Sequence, residues 1–586
     1  MMKRVFPCLI ALMLLMALPA LAEGTAEGET VVTYECAALD DGTLEITRYN
    51  GEDASVAVPD ILGGRVVSRI GRNAFAGNET LTAITLPLGL TEIDDGAFAG
   101  CAALKSVHIP ARVSRVGADA FEGCAALKSV SLPQKLSEIG EAAFAGCVSL
   151  TEIALPDGLS RLGARAFAGC ERLASVSLPE TATALEAGLF EGCVSLPAVI
   201  LPDAMETIGE RAFADCAALT EIVFPQAVTA IGKGAFTGCS GLKAVSFPAS
   251  LETIGESAFA RCTALAELDC PVGLATLGEA AFYHCDSLTR VSFAGNIEEI
   301  SERAFAQCGA LAVVSLPDGV RRIGARAFSE CVSLADIGLP AGLKRIGDGA
   351  FYHCEALTAL VMPGELESVG SLAFSGCASL ASVYVSDSVT DMPVNPFTNC
   401  RSLNSIQVSP DNPAFAVIDN VLFVKASRML FCYPQGLAGE TYAVPDGILA
   451  IGDFAFFGCD GMTSIVLPAG LKSIGDSAFF SCNGLTEMPL PASLESIGGK
   501  AFSGCAALTG MIFPEGLLHI GYSAFSDCVG LTALYLPASV EEIGRDAFLG
   551  CSELFLTVER GSFAAKYAHE NNIDFTYSDI NAWLNG

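Results

Sequence analysis

The sequence predicts a mostly-β solenoid with short 3₁₀ turns, built from about twenty coils of 23 residues each. Three observations carry that prediction. Phenylalanine recurs at fifteen positions from Phe75 to Phe397, 23 residues apart without a slip, and again at Phe456, Phe479, Phe502, Phe525 and Phe548. Cysteine follows that Phe by three residues in nineteen of the twenty units, with Asn78 in the first. No stretch inside the period is long enough for a self-standing α-helix. Self-similarity at one short fixed period marks stacked units, each unable to bury its apolar face alone.

One copy, residues 104–126 (LKSVHIPARVSRVGADAFEGCAA), shows the physics. Val107, His108 and Ile109 alternate apolar, exposed, apolar, the period of a half-buried strand. Pro110 has no N–H to donate and ends the strand. Val113 and Val116 lie three apart on a second short extended segment or turn. Gly117 follows, and Ala120-Phe121 reads as one turn of 3₁₀ helix. Stacking such coils at the strand-pairing distance of about 4.8 Å buries them in one continuous core.

The columns differ in strictness. Phe has no exception in twenty units, so Phe98, Phe121 and Phe144 are expected to anchor the core. The Gly column admits Asp94, Glu186, Ser301 and Pro393, and a position that takes Pro does not require positive φ. For the cysteine ladder, exemplified by Cys101, Cys124 and Cys147, two readings compete. Stacked neighbours fall within disulfide range. The favoured reading is a row of small buried free thiols, because nineteen is odd, a ladder specifies no pairing, and Asn78 fills the same place. Zinc is disfavoured, since no CxxC pair or His partner lies nearby.

The pattern LxxIxLPxxLxxIGxxAFxxC resembles the Treponema-type, BspA-like leucine-rich repeat. The resemblance covers almost the whole chain past residue 22, and it implies a leucine-rich-repeat solenoid. It also implies a microbial protein, secreted or surface-exposed, that binds matrix proteins, host cells or other microbes. Fold transfers across such a resemblance more safely than partner.

Taken in order, residues 1–22 read as a signal peptide. Lys3 and Arg4 supply the charge, an apolar run follows, and Ala20-Leu21-Ala22 is an A-x-A site with cleavage after Ala22. Residues 23–55 combine a small acidic leader without expected structure and an N-terminal hairpin cap turning at Asp41-Gly42. Residues 56–400 form the main array. Residues 401–445 interrupt it with a hairpin, alternating strands at 421–425 and 429–433 about Ala426-Ser427-Arg428. That insert reads first as a structural excursion and second as a protruding recognition element. Asp411-Asn412 and Asp419-Asn420 match no trusted calcium loop. Residues 446–553 are five more coils. Residues 554–586 are the C-terminal cap and tail. There Ser562 caps a helix from Phe563 to about Glu570, with Phe563 and Tyr567 on one face, and a strand returns at 573–577.

Composition narrows function. The net charge is −33, or −35 once Lys3 and Arg4 leave with the signal. That charge repels nucleic acid and anionic lipid. The apolar fraction of 51% serves two-sided coil interiors, and no long apolar run follows residue 22, so no membrane span is expected in the processed chain. Twenty coils span roughly 100 Å. No catalytic constellation, metal site or cofactor is expected. His284 and His353 occupy equivalent places three coils apart and are expected to be exposed loop residues. Asp94-Asp95 and Glu298-Glu299 are expected to be solvated.

If the protein binds a partner, the outward position inside each strand is the place to look. Most such residues are small. Ile200 with Val223, Val361 with Tyr384, and Ile512 with Tyr535 are apolar neighbours and form the candidate protein-binding set. The expected function is adhesion or protein binding to an extracellular protein or cell-surface ligand, by a monomer. The alternative is an envelope-associated spacer with no specific soluble ligand.

Overall fold

The computed structural model describes residues 34–579. The expected signal peptide, the acidic leader to residue 33 and the tail from residue 580 lie outside the described residues. Within 34–579 the chain is a leucine-rich-repeat solenoid of short parallel strands, with a single short helix near its C-terminal end.

Most coils contribute two ladders. Ser106–His108 pairs in parallel with Ser129–Ser131, Val107 opposite Val130. Arg115–Val116 pairs with Glu92–Ile93 on one side and Glu138–Ile139 on the other. We call these the first-strand and second-strand faces. The alternation read in the sequence holds, with Val107 and Ile109 buried and His108 exposed. Between the two strands a tight turn closes at Pro110, whose carbonyl accepts the N–H of Val113.

The third side, the turn face, departs from the 3₁₀ expectation. The N–H groups of Ala97, Ala99 and Cys101 do bond back three residues, as in such a turn. The alternate groups of Gly96, Phe98 and Gly100 instead donate to Ala118, Ala120 and Glu122 of the next coil, at 2.6–2.7 Å. A 3₁₀ helix would spend every N–H locally and leave neighbouring coils unjoined. Alternation satisfies the backbone both within and between coils.

That alternation demands left-handed backbone at two places per coil. The residue two before Phe has φ near +55° from Asn73 to Leu372, and the residue two after Phe has φ of 56–79° from Gly77 to Asn399. Ala142, Arg165 and Leu372 occupy the first slot, where a non-glycine costs about 1–2 kcal/mol. The Gly column recognised in the sequence has a different cause, and positive φ is not it. A Cβ on Gly140 would lie 2.4 Å from the backbone nitrogen of Ala118, so the column marks coils in backbone contact.

Phe98, Phe121, Phe144, Cys101, Cys124 and Cys147 are all fully buried. The rings stack along the axis with centroids 4.9–5.9 Å apart. Each thiol points at the carbonyl of the Phe one coil back, Cys101 to Phe75 at 3.1 Å and Cys124 to Phe98 at 3.3 Å. The thiols of the ladder are free.

Two tyrosines act as Phe. Tyr49, from the N-terminal hairpin Tyr34–Ala38 and Leu44–Tyr49, stacks on Phe75 at 4.9 Å. Tyr433 stacks on Phe456 at 5.0 Å, and its N–H donates to the Ala455 carbonyl of the next coil, as Phe98 donates to Ala120. Tyr433 lies 23 residues before Phe456 and 36 after Phe397, so the interruption is one coil carrying 13 extra residues. They add the strands Phe415–Ile418 and Val421–Val424, which pair antiparallel with each other and with Met429–Cys432, the coil's own second strand. Asp419 and Asn420, both at positive φ, form the first two-residue turn. Asn412 is buried, its amide nitrogen donating to Ser386 and Val389 and its oxygen accepting from Ala414 and Phe415. Both acidic-amide pairs thus serve the backbone.

The C-terminal end closes on the helix Phe563–Glu570, where Ser562 accepts the N–H of Ala565, and on the strand Asp574–Tyr577. Tyr567 meets Phe548 edge-on at 6.3 Å and ends the aromatic stack. Phe563 does not share that buried face. It is 40% exposed, because the helix buries Ala564, Ala565, Tyr567 and Ala568 instead.

Candidate binding surfaces

On the first-strand face the candidate residues stand outward, Ile200 at 87% exposure, Ile512 at 81%, Val361 at 68%, Val223 at 66% and Tyr384 at 37%. Strand pairing brings two of the three pairs side by side. Val361 lies opposite Tyr384, and Tyr384 opposite Gln407. Ile512 lies opposite Tyr535, and Tyr535 opposite Thr557. Ile200 is not joined to Val223 by a ladder. It falls outside any strand, and Val223 pairs onward with Ser246. Pro197 is the reason, standing where Lys105 donates its N–H to Thr82 in the regular coil.

Tyr535 is more constrained than its column position suggests. Its hydroxyl donates to Glu559 at 3.1 Å and Glu515 at 3.4 Å. Burial first, and then the Glu559 bond, push the phenol up to about 12. The Tyr384 hydroxyl has no such anchor among the described residues, so its ring is the freer contact.

The second-strand face carries an alternating charge ladder that sequence reading did not identify. Arg69, Glu92, Arg115, Glu138 and Arg161 succeed one another coil by coil, paired at 2.6, 2.8, 3.7 and 3.0 Å. Arg115 also holds Asp94 at 3.1 Å and Asp95 at 2.8 Å. Burial raises Asp95, but the Ala118 N–H and the Arg115 guanidinium outweigh it and hold the carboxyl below its usual range. The signal was present in the sequence as opposite charges 23 residues apart. Among the described residues no group of His, Cys, Asp and Glu is placed to hold a metal ion. No described helix is long and apolar enough to cross a membrane.

Four stretches of the chain, 68–197, 183–312, 298–427 and 432–555, match the family model described as BspA type leucine rich repeat region (6 copies). No curated protein matches the chain. Among solved structures it is similar to a leucine-rich repeat protein from Bacteroides ovatus at 28% identity, covering 65% of this chain and 93% of that one, with a TM-score of 0.50. It is also similar to the pneumococcal vaccine antigen PcpA at 22% identity, covering 54% of this chain and 89% of that one, with a TM-score of 0.47. A leucine rich cell surface protein from Faecalibacterium prausnitzii is similar at 20% identity, over 93% of this chain and 98% of that one, with a TM-score of 0.32.

Proposed function

This chain belongs to the BspA-type leucine-rich repeat family, and from that premise we propose that it is a secreted or cell-surface adhesion protein that binds an extracellular protein or cell-surface ligand through its first-strand face. The observation that carries the reading is the register of exposed apolar side chains on paired strands. Val361 against Tyr384 and Ile512 against Tyr535 present apolar surface that no packed neighbour requires. A solenoid fixes such side chains at strand spacing before a partner arrives, which lowers the ordering cost of binding. The charged, apolar and A-x-A segments of residues 1–22 support export. The strongly negative net charge disfavours nucleic acid and favours a partner with a neutral or basic contact surface.

The reading is tested by charge insertion along the column. Tyr384→Asp should weaken binding to immobilised matrix glycoprotein, whereas Ser131→Asp, at the same position in a coil of small residues, should leave it unchanged. Equal effects at both positions would remove the assignment of the Val361–Tyr384 patch.

A further inference from the structure

Five successive coils break the glycine preference at the same strained place. The left-handed slot two residues after Phe is glycine in every coil from Gly77 to Gly192, and again at Gly238 and Gly376. Between the last two, Arg261, His284, Gln307, Glu330 and His353 hold φ of 61°, 59°, 62°, 62° and 56°. Side chains kept in a conformation that favours glycine point to a role outside folding. The same coils carry the tyrosines Tyr283 and Tyr352 directly after Phe, where most coils have a small residue.

Of these residues, Gln307 and Glu330, with both tyrosines, line one trough of about 830 Å³ on the turn face. Tyr283 and Tyr352 close its two ends, three coils or roughly 14 Å apart at the strand spacing. Buried Ala306 and Ser329 stand between them and make the floor low. Gln307 and Glu330 line one side, joined by a 3.2 Å hydrogen bond, and Arg303 and Arg326 line the other. Arg303 is balanced by Glu279 at 3.9 Å and Glu302 at 3.8 Å. His284, 2.6 Å from Asp286, and His353, 3.6 Å from Glu355, line a neighbouring hollow on the other side of Gln307 and Glu330.

The geometry points to a neutral oligosaccharide as the ligand of this trough, its terminal rings resting on Tyr283 and Tyr352 and its hydroxyls exchanging hydrogen bonds with Gln307, Glu330 and Arg326. Aromatic ends with mixed donors and acceptors suit an uncharged, hydroxyl-rich chain. The mixed charge of the walls gives a polyanion or polycation no net attraction. A peptide strand would need free backbone groups, and here they are spent. The N–H groups of His284, Gln307 and Glu330 donate to Ala306, Ser329 and Tyr352 of the following coils at 2.6–2.9 Å. This surface is separate from the first-strand face, so either assignment can fail without the other.

The test is calorimetric titration of residues 23–586 with neutral gluco-, manno-, xylo- and galacto-oligosaccharides. At least one series should saturate at one site per chain. Tyr283→Ala and Tyr352→Ala should each weaken it about tenfold, the loss expected for one ring platform, with the fold retained, since Tyr352 is exposed and Tyr283 only half-buried. Gln307→Gly and Glu330→Gly should weaken binding while raising Tm, a combination that a purely structural side chain would not give. No binding by any of the four series would overturn the assignment. So would binding unaltered in the Tyr283→Ala/Tyr352→Ala double variant, or a fall in Tm on changing both Gln307 and Glu330 to glycine.

Discussion

Phe121 and Phe144 stack with their ring centroids 5.2 Å apart and their planes 1° from parallel. Both are fully buried, and each belongs to an unbroken aromatic column that Tyr49 opens and Phe397 ends. Phe121→Ala should therefore cost about 3–5 kcal/mol. In a one-dimensional array each coil rests only on its neighbours, so the variant should also split the urea transition into two steps. A single transition shifted by less than about 1 kcal/mol would contradict a core carried by this column.

Backbone geometry separates two glycine-like slots that look alike in sequence. Gly140→Ala would bring a Cβ to 2.4 Å from Ala118 nitrogen, and overpacking against backbone should cost about 1–3 kcal/mol. Ala142→Gly, two residues later at φ +50°, should stabilise by roughly 0.5–1 kcal/mol as left-handed strain is relieved. Chemical denaturation of the two variants measures both signs.

The thiols give a pH prediction. Burial pushes Cys101 up to about 11 and Cys170 up to about 12, against 9.0 in the unfolded chain. The folded state therefore holds protons that the unfolded state releases. Stability is fully present below pH 9 and falls as pH rises through 9 to 12, by about 1.4 kcal/mol per pH unit for each such thiol. Thermal melts from pH 8 to 11 should show a steep fall in Tm. At pH 8 a thiol reagent should modify exposed Cys36 rapidly and the buried ladder only on unfolding. A flat Tm, or masses showing paired cysteines without reductant, would refute the free-thiol ladder.

Much of this fold was legible in the sequence because its periodicity is strict where packing is strict. Phe lines the axis of every coil and Ser562 announces its helix. Tyr433 and Tyr49 were missed because the repeat was traced on Phe alone, though Tyr433 lies one period before Phe456. The turn Asp419-Asn420 was passed over as an acidic pair. The left-handed slot two residues before Phe was illegible because Ala, Arg and Leu all occupy it, so residue identity there carries no mark of φ. For the binding face, alternation correctly set Ile512 outward, but the hold of Glu559 on Tyr535 spans 24 residues and no local pattern reports it.

Arg115 should act as the hub of the charge ladder. Arg115→Ala leaves Glu92, Asp94, Asp95 and Glu138 facing one another. The cost should be about 1 kcal/mol at pH 7, limited by partial exposure. Because Arg115 helps hold the Asp95 carboxyl below its usual range, that stability is present above pH 4 and is lost as pH falls through the depressed value. Wild type and variant should therefore converge in Tm toward pH 3, and a difference that persists there would show that packing, not charge, sets the effect.

The most direct test of the adhesion reading is saturation binding of residues 23–586 to immobilised matrix glycoproteins and to whole epithelial and microbial cells, with Tyr384→Asp measured in parallel. The account predicts saturable binding to one of these classes, weakened at least about tenfold by the substitution, as for an interface tyrosine anchor. A folded protein that binds none of them, or that binds equally well with Asp at position 384, would contradict it and leave the spacer reading in its place.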